Sequence, residues 1–361
     1  MAQIDAYFKA MKEQGASDLH LASGSQPILH IRGEIKRLKR EPYNDEELKK
    51  ILYEITPEEK IKSFEETFEL DFAYELPGLA RYRANYFYQS SGISAVFREI
   101  PSDILSIDEL ELPSTLKKLA LLPNGLVLVT GPTGSGKTTT LAAIINEANE
   151  KREGHILTIE DPLEYKHNNK ECLISHREVG THTKSFPAAL QSALREDPDI
   201  IMVGEMRDNE TISTALEAAN TGHLVLGTLH TTNATKTVDR IIDGFPANQQ
   251  DQIRSSLADS LRAVVAQSLF KRTDKKGGRC AALEILLVKS AVRAHIRKGE
   301  THQIPNDIQV GKKIGMQTLD KAIMEHLKGK RIDPYEAYIK SVDKSIFVSF
   351  LKKPPDDFYD V

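Results

Sequence analysis

GLVLVTGPTGSGKTTT, residues 125–140, decides how this chain is read. Its first half is a continuous apolar run, the kind that forms a strand buried on both faces of a parallel sheet. Its second half fits G-x-x-x-x-G-K-[ST] at every fixed position, with Gly131, Gly136, Lys137 and Thr138. Gly131, Gly134 and Gly136 let the backbone close around phosphate groups, and the helix expected next aims its first amide donors at them. The candidate phosphate-binding residues are therefore Thr133, Gly134, Ser135, Gly136, Lys137, Thr138 and Thr139. Lys137 is the expected partner of the β- and γ-phosphates of a triphosphate, and Thr138 that of a Mg²⁺ ion. A chance match in a chain of this size is on the order of one in a hundred.

Outward from this stretch, apolar runs alternate with helix-like text. HILTIE (155–160), DIIMVGE (199–205) and HLVLGTL (223–229) read as further strands of an α/β domain whose site lies at their carboxyl ends. Each of those ends carries polar groups. Glu160, Asp161 and Glu164 close the first, where a metal or an attacking water would lie, although Asp161 before Pro162 also suits a turn cap. Glu205 stands at the end of the second as a candidate water-activating carboxylate, followed by Arg207 and Asp208. His230 ends the third, while His223 begins it on the side away from the phosphates and reads as structural. The stretch 248–351 reads as mostly helical, broken by the strand CAALEILLV (280–288), with KKPPDDFYDV (352–361) as a solvated tail.

The first hundred residues read differently. Ile4, Tyr7, Phe8 and Met11 repeat at helical spacing over 3–14, on a helix packed against its own domain. Strands are expected at 19–22 and within PILHIRGEIKRL (27–38), where Gly33 supplies a hairpin turn. Two helices follow over 45–66, the second opened by Thr56 as cap and Pro57 as first helical residue. Phe68, Leu70, Phe72, Tyr74 and Leu76 then alternate strictly, and ARYRANYFYQ (80–89) and ISAVFREI (93–100) continue as strands. This is an α+β domain of residues 1–100, a linker over 101–115, and an α/β domain over 116–361.

The whole-chain numbers agree with two domains, since 361 residues at roughly 150 per domain give about that count. Lys and Arg total 48 against 52 Asp and Glu, so bulk charge offers nothing to a nucleic-acid backbone. The two cysteines, Cys172 and Cys280, are too far apart and too few for a zinc knuckle or a disulfide framework, which suits a reducing compartment. No apolar run approaches the roughly 18 residues of a membrane span, so work at a membrane would need recruitment.

GPTGSGKTTT, IEDPLEY (159–165), LREDPDIIMVGEMRD (194–208) and TGHLVLGTLHTTNA (221–234) resemble, in that order, the Walker A, Asp box, Walker B and His box of the secretion and type IV pilus ATPases. The resemblance covers nearly the whole chain. It implies a RecA-like P-loop NTPase domain preceded by a PAS-like domain, a homohexameric ring, and ATP with Mg²⁺ as ligands. The extension and type II secretion branches carry a cysteine-rich zinc insert, whereas FKRTDKKGGRCAALEI (270–285) is short and holds Cys280 alone. AVRAHIRK (291–298) is similar to the helix specific to the retraction branch, departing from it at Ala294, His295 and Lys298. An extension or secretion ATPase, a non-hydrolysing ATP-binding regulator and a DNA translocase are the competing readings.

The mechanism expected from these residues is phosphoryl transfer to water, governed by positioning and charge neutralisation. Lys137 and Thr138 bind MgATP, Glu205 polarises the water, and His230 senses the γ-phosphate. Gly204 occupies the position where a common Walker B has an acid, which brings Glu160 or Glu164 into consideration for the metal shell. Arg81 and Arg83 on one strand face, with Arg98 on a neighbouring strand, are the candidate arginines acting on the next subunit's nucleotide; Arg195, Arg207 and Arg240 are alternatives. The family further implies a cytoplasmic motor recruited to the inner membrane by a pilus platform protein, with a second retraction ATPase as a further partner.

Overall fold

A computed structural model describes residues 2–31, 34–100 and 103–353. The expected turn glycine, Gly33, and the tail from residue 354 onward lie outside the described residues. Two compact units divide the chain. One runs to Asp103 and takes in Pro162–Lys166; the other holds Ile104–Asp161 and the chain from His167 onward. Among the described residues no helix is long and apolar enough to cross a membrane.

The first unit contains α1 (Asp5–Gln14), β1 (Asp18–Ala22), β2 (Ile28–Ile31), β3 (Glu34–Arg37), α2 (Asp45–Tyr53), α3 (Glu58–Thr67), β4 (Glu69–Leu76), β5 (Ala80–Gln89) and β6 (Gly92–Ile100). Its sheet is antiparallel in the order β3-β2-β1-β6-β5-β4. Ile4, Tyr7, Phe8 and Met11 are buried, with Phe8 stacked on Tyr82 at a centroid distance of 4.1 Å. Each such side chain contributes about 1.5–3 kcal/mol of burial, which holds α1 on the sheet. Asn44 and Glu47 form a capping box that starts α2.

Two boundaries differ from the sequence expectation. Thr56 does not cap α3; its hydroxyl donates to Leu52 O at 2.8 Å, and Pro57 takes the cap position. Phe68 does not open β4. It closes α3 in the left-handed region at φ 63°, because the chain must reverse between helix and strand there.

The second unit contains α4 (Thr115–Ala120), β7 (Gly125–Thr130), α5 (Lys137–Lys151), β8 (Gly154–Glu160), β9 (Cys172–Glu178), α6 (Phe186–Ala193), β10 (Ile200–Val203), α7 (Asn209–Asn220), β11 (Leu224–Leu229), α8 (Ala234–Asp243), α9 (Ala247–Ser260), β12 (Leu261–Lys271) and β13 (Arg279–Leu287). After them come α10 (Ser290–Lys298), α11 (Ile304–Val310), α12 (Leu319–Lys328), α13 (Pro334–Lys340) and α14 (Ser345–Val348). The seven strands are ordered β13-β12-β7-β11-β10-β8-β9, all parallel except β13.

Alternate residues of each central strand enter opposite cores. Leu126, Leu128, Ile201 and Val203 pack towards α6, α7, α8 and α9, whereas Val127, Val129, Ile200 and Met202 pack towards α4 and α5. Ile107 and Leu112, ahead of α4, are buried in the second of these cores. Two strands were not expected. β9 is a polar edge strand, and β12 corrects the mostly helical reading of 248–351. LRAVVAQSLFK follows α9 with no glycine or proline between them, and a dry run of that length fits a buried helix as well as a buried strand.

Candidate active site

β7 delivers the chain to the phosphate-loop sequence. Gly131, Gly134 and Gly136 have φ of 145°, 76° and 86°, a region open to glycine at little steric cost. A Cβ on Gly131 would lie 2.4 Å from Gln267 O, so the loop is also pressed against β12. Gln267 is the clamp. Its amide donates to Ser135 O at 2.6 Å and its carbonyl accepts from the Thr140 hydroxyl at 2.7 Å.

α5 starts at Lys137 with Gly136 as its cap and no side chain occupying its first amides. An uncapped helix start is a ready anion site. The buried hydroxyls of Thr130 and Ser135 lack hydrogen-bond partners among the described residues. Lys137 Nζ donates to Gly131 O at 3.0 Å and Pro132 O at 3.2 Å, so its cation lies on the loop. Thr138 and Thr139 are half-buried in the first turn, and Thr133 is exposed at the loop tip. A glycine-lined loop at an uncapped helix start, with a cation on it, fits a polyphosphate.

Beyond the end of β10, Glu205 is fixed from two sides. Its Oε1 lies 2.7 Å from His230 Nε2, and its Oε2 accepts from Arg207 Nη2 at 2.6 Å. His230 directly follows β11, whose pairing with β10 sets Val203 opposite Gly227. The Thr228 hydroxyl donates to Gly204 O at 2.5 Å, and Met206 N donates to Thr228 O at 3.1 Å, so the two strand ends are clipped together. Burial of Glu205 pushes its pKa up, but the hydrogen bonds and charges of Arg207 and His230 outweigh it and hold the carboxyl below its ordinary value. A carboxylate in that state stays ionised at neutral pH and can accept a proton from water only while its two partners leave a lone pair free.

Gly204 has a local reason. A Cβ there would meet Ile159 O at 3.2 Å and Glu160 Cα at 3.4 Å, so β8 leaves little room for an acid at that position. Glu160 itself ends β8 and is buried. Glu164 falls in Pro162–Lys166, which groups with the first unit. Asp161 adds to the field that raises the Arg207 pKa, after the Glu205 hydrogen bond. Asp208 caps α7, accepting from Thr211 N at 2.8 Å. His223 Nδ1 donates to Ala218 O at 3.0 Å, before β11 begins.

The structure thus brings Lys137, Glu205 and His230 to the carboxyl ends of β7, β10 and β11. The arginines of the first unit form a separate group. Arg83 and Arg98 are register partners on β5 and β6, and Arg81 lies two residues from Arg83 on the same face. Arg83 pairs with Asp71 at 2.5 Å and Arg98 with Asp18 at 2.7 Å. Arg195 lies just beyond α6 and Arg240 in the last turn of α8. Gln267 escaped the sequence reading; its signal is one polar side chain inside the apolar run AVVAQSLF.

Comparison with known proteins matches residues 3–327 to the family described as type II/IV secretion system protein. The chain is 50% identical over 311 residues, 86% of its length and 90% of the relative's, to a Pseudomonas aeruginosa protein named Type IV pilus retractation ATPase PilT. It is 49% identical over 324 residues, 90% of its length and 86% of the relative's, to a Neisseria gonorrhoeae protein named Twitching motility protein. Among solved structures, the pilus retraction motor PilT with bound ADP superimposes with a TM-score of 0.88 at 41% identity, over 96% of this chain and 98% of that one.

Proposed function

Because the chain belongs to the type II/IV secretion system protein family, we propose that it is an ATP-hydrolysing motor that drives type IV pilus retraction and hence twitching motility. The observation that carries the chemistry is the meeting of an anion-binding loop with Glu205 and His230 on adjacent strand ends of one sheet.

The geometry supports the following roles. The loop amides and Lys137 bind and orient the phosphates, with Lys137 exchanging its carbonyl partners for phosphate oxygens. Thr138 would hold Mg²⁺, and the ion would supply charge neutralisation when bound. Glu205 orients the attacking water and accepts its proton. His230 and Arg207 keep that carboxylate aimed and ionised, and His230 couples its position to the γ-phosphate. Glu160, buried beside Gly204, or Glu164 is the remaining candidate for the metal shell.

We read residues 1–100 as PAS-like, supported by a helix-flanked antiparallel sheet, 101–115 as linker, and 116–361 as RecA-like. The active form is a cytoplasmic homohexamer in which Arg81, Arg83 or Arg98 reaches the next subunit's nucleotide, recruited to the inner membrane by a platform protein and sharing the work with a second retraction ATPase. The helix α10 carries the AVRAHIRK segment that favours retraction over extension.

Two measurements test this. Glu205→Gln should lower Mg²⁺-dependent phosphate release about 10²–10⁴-fold while nucleotide binding persists; retained turnover would remove Glu205 from the mechanism. Deleting the gene should leave surface pili present or increased with twitching lost. Loss of pili would instead assign the extension branch.

A further inference from the structure

The second unit has a cavity of about 760 Å³ far from the phosphate loop, lined by Lys118, Arg262, Lys289, Arg293, Lys312 and Lys313 together with Leu119, Leu122 and Ile314. No carboxylate lines it. Among the described residues none of these six cations forms an ion pair within 4.0 Å. Arg293 Nε is buried with no hydrogen-bond partner. Arg262 donates to the carbonyls of Asp259 and Ser260 and to Asn124 Oδ1, all neutral acceptors. Asp259, whose charge raises the Arg262 pKa, is paired with Arg297. Burial and the charge of Arg293 both push the Arg262 pKa down, so two guanidinium groups stand unneutralised near one another.

An arrangement of six cations without a counter-charge is unfavourable unless an anion completes it. The start of α10 also borders this cavity, and its cap residue, Lys289, gives its first amides no side-chain acceptor. We propose that this cavity is a second anion site, distinct from the phosphate loop, which binds a multiply charged phosphate ester with its apolar part against Leu119 and Leu122. The volume falls within the range of small-molecule pockets, about 300–1,000 Å³. Arg262 lies at the amino end of β12, paired beside the amino end of β7, whereas the phosphate loop leaves the carboxyl end of β7. Six residues of strand therefore separate the two sites by roughly 20 Å. The segment that distinguishes the retraction branch, α10, supplies Arg293.

The ligand's phosphates could belong to a free solute or a lipid headgroup, and two probes separate these. Full-length protein saturated with ADP in excess Mg²⁺, which fills the phosphate loop, is titrated calorimetrically with inositol hexakisphosphate, and is sedimented with phosphatidylglycerol or phosphatidylcholine vesicles. Saturable binding of one hexakisphosphate per chain identifies a free phosphorylated solute; selective binding to phosphatidylglycerol vesicles identifies a headgroup. Either should weaken about tenfold or more in Arg293→Gln and in the exposed double variant Lys312→Gln/Lys313→Gln, with ADP affinity unchanged in both. Absence of binding by both probes, or binding equal in wild type and both variants, overturns the site and leaves the ATPase reading untouched.

Discussion

Glu205 is held by two cationic or donor groups of different strength, and the balance between them is testable. Removing the Arg207 guanidinium takes away the first of the hydrogen bonds that oppose burial, so the carboxyl pKa should rise. Catalysis needs the ionised form, which exists above the folded pKa and is lost as pH falls through it. Arg207→Gln should therefore move the acid limb of the kcat profile to higher pH, whereas an unchanged limb would show that another group sets it. Glu205 and His230 could be picked out because each stands where an apolar run ends, and Lys137 because it fills a fixed position of G-x-x-x-x-G-K-[ST]. Gln267 was not, since its importance lies in reaching Ser135 and Thr140, more than a hundred residues away in sequence.

At the scale of elements, the strands that build the site were readable from continuous apolar runs, because β7, β8, β10 and β11 are buried on both faces. β12 has the same burial, but it continues straight from α9, and no local breaker marks the change. Its contribution to the loop is measurable. Gln267→Leu leaves the buried Thr140 hydroxyl and Ser135 carbonyl without their partner, which should cost about 1–3 kcal/mol per group left unsatisfied. We expect a lowered melting temperature and weaker ADP binding; an unchanged ADP affinity would mean that the loop holds its shape without β12. In the first unit the hydrophobic alternation located β4 correctly to within one residue, and the error at Phe68 arose because a left-handed helix end admits an aromatic side chain that pattern alone assigns to a strand.

At the scale of the whole molecule, the division into α+β and α/β parts was visible in the change of pattern near residue 100, and the compact units part at Asp103. The text around 104–112 gave no sign of how tightly it joins the second unit. Glu111, at φ 55°, accepts from Arg272 at 3.0 Å, Lys276 at 2.7 Å and Arg331 at 3.1 Å. Hydrogen bonds from Lys276 and Arg272 lower its pKa to about 2. The sign follows from the depressed value: this stabilisation is present above the ordinary carboxyl pKa and is lost as pH falls from about 4.5 towards about 2. Solvent screening limits it to about 1 kcal/mol. Glu111→Gln should reduce stability by about that amount at pH 7 and by much less near pH 2, as read by denaturant unfolding at both; equal losses at both pH values would assign the effect to packing or backbone strain.

The order of strands has a metric consequence. β11 lies between β7, which leads into the phosphate loop, and β10, which leads into Glu205. Neighbouring strands keep a fixed pitch of about 4.8 Å, so two steps set roughly 10 Å between the exits of those strands. The sheet therefore works as a ruler. Backbone hydrogen bonds, rather than loop lengths, define the gap that a terminal phosphate and its attacking water must span, and His230 stands at the middle graduation.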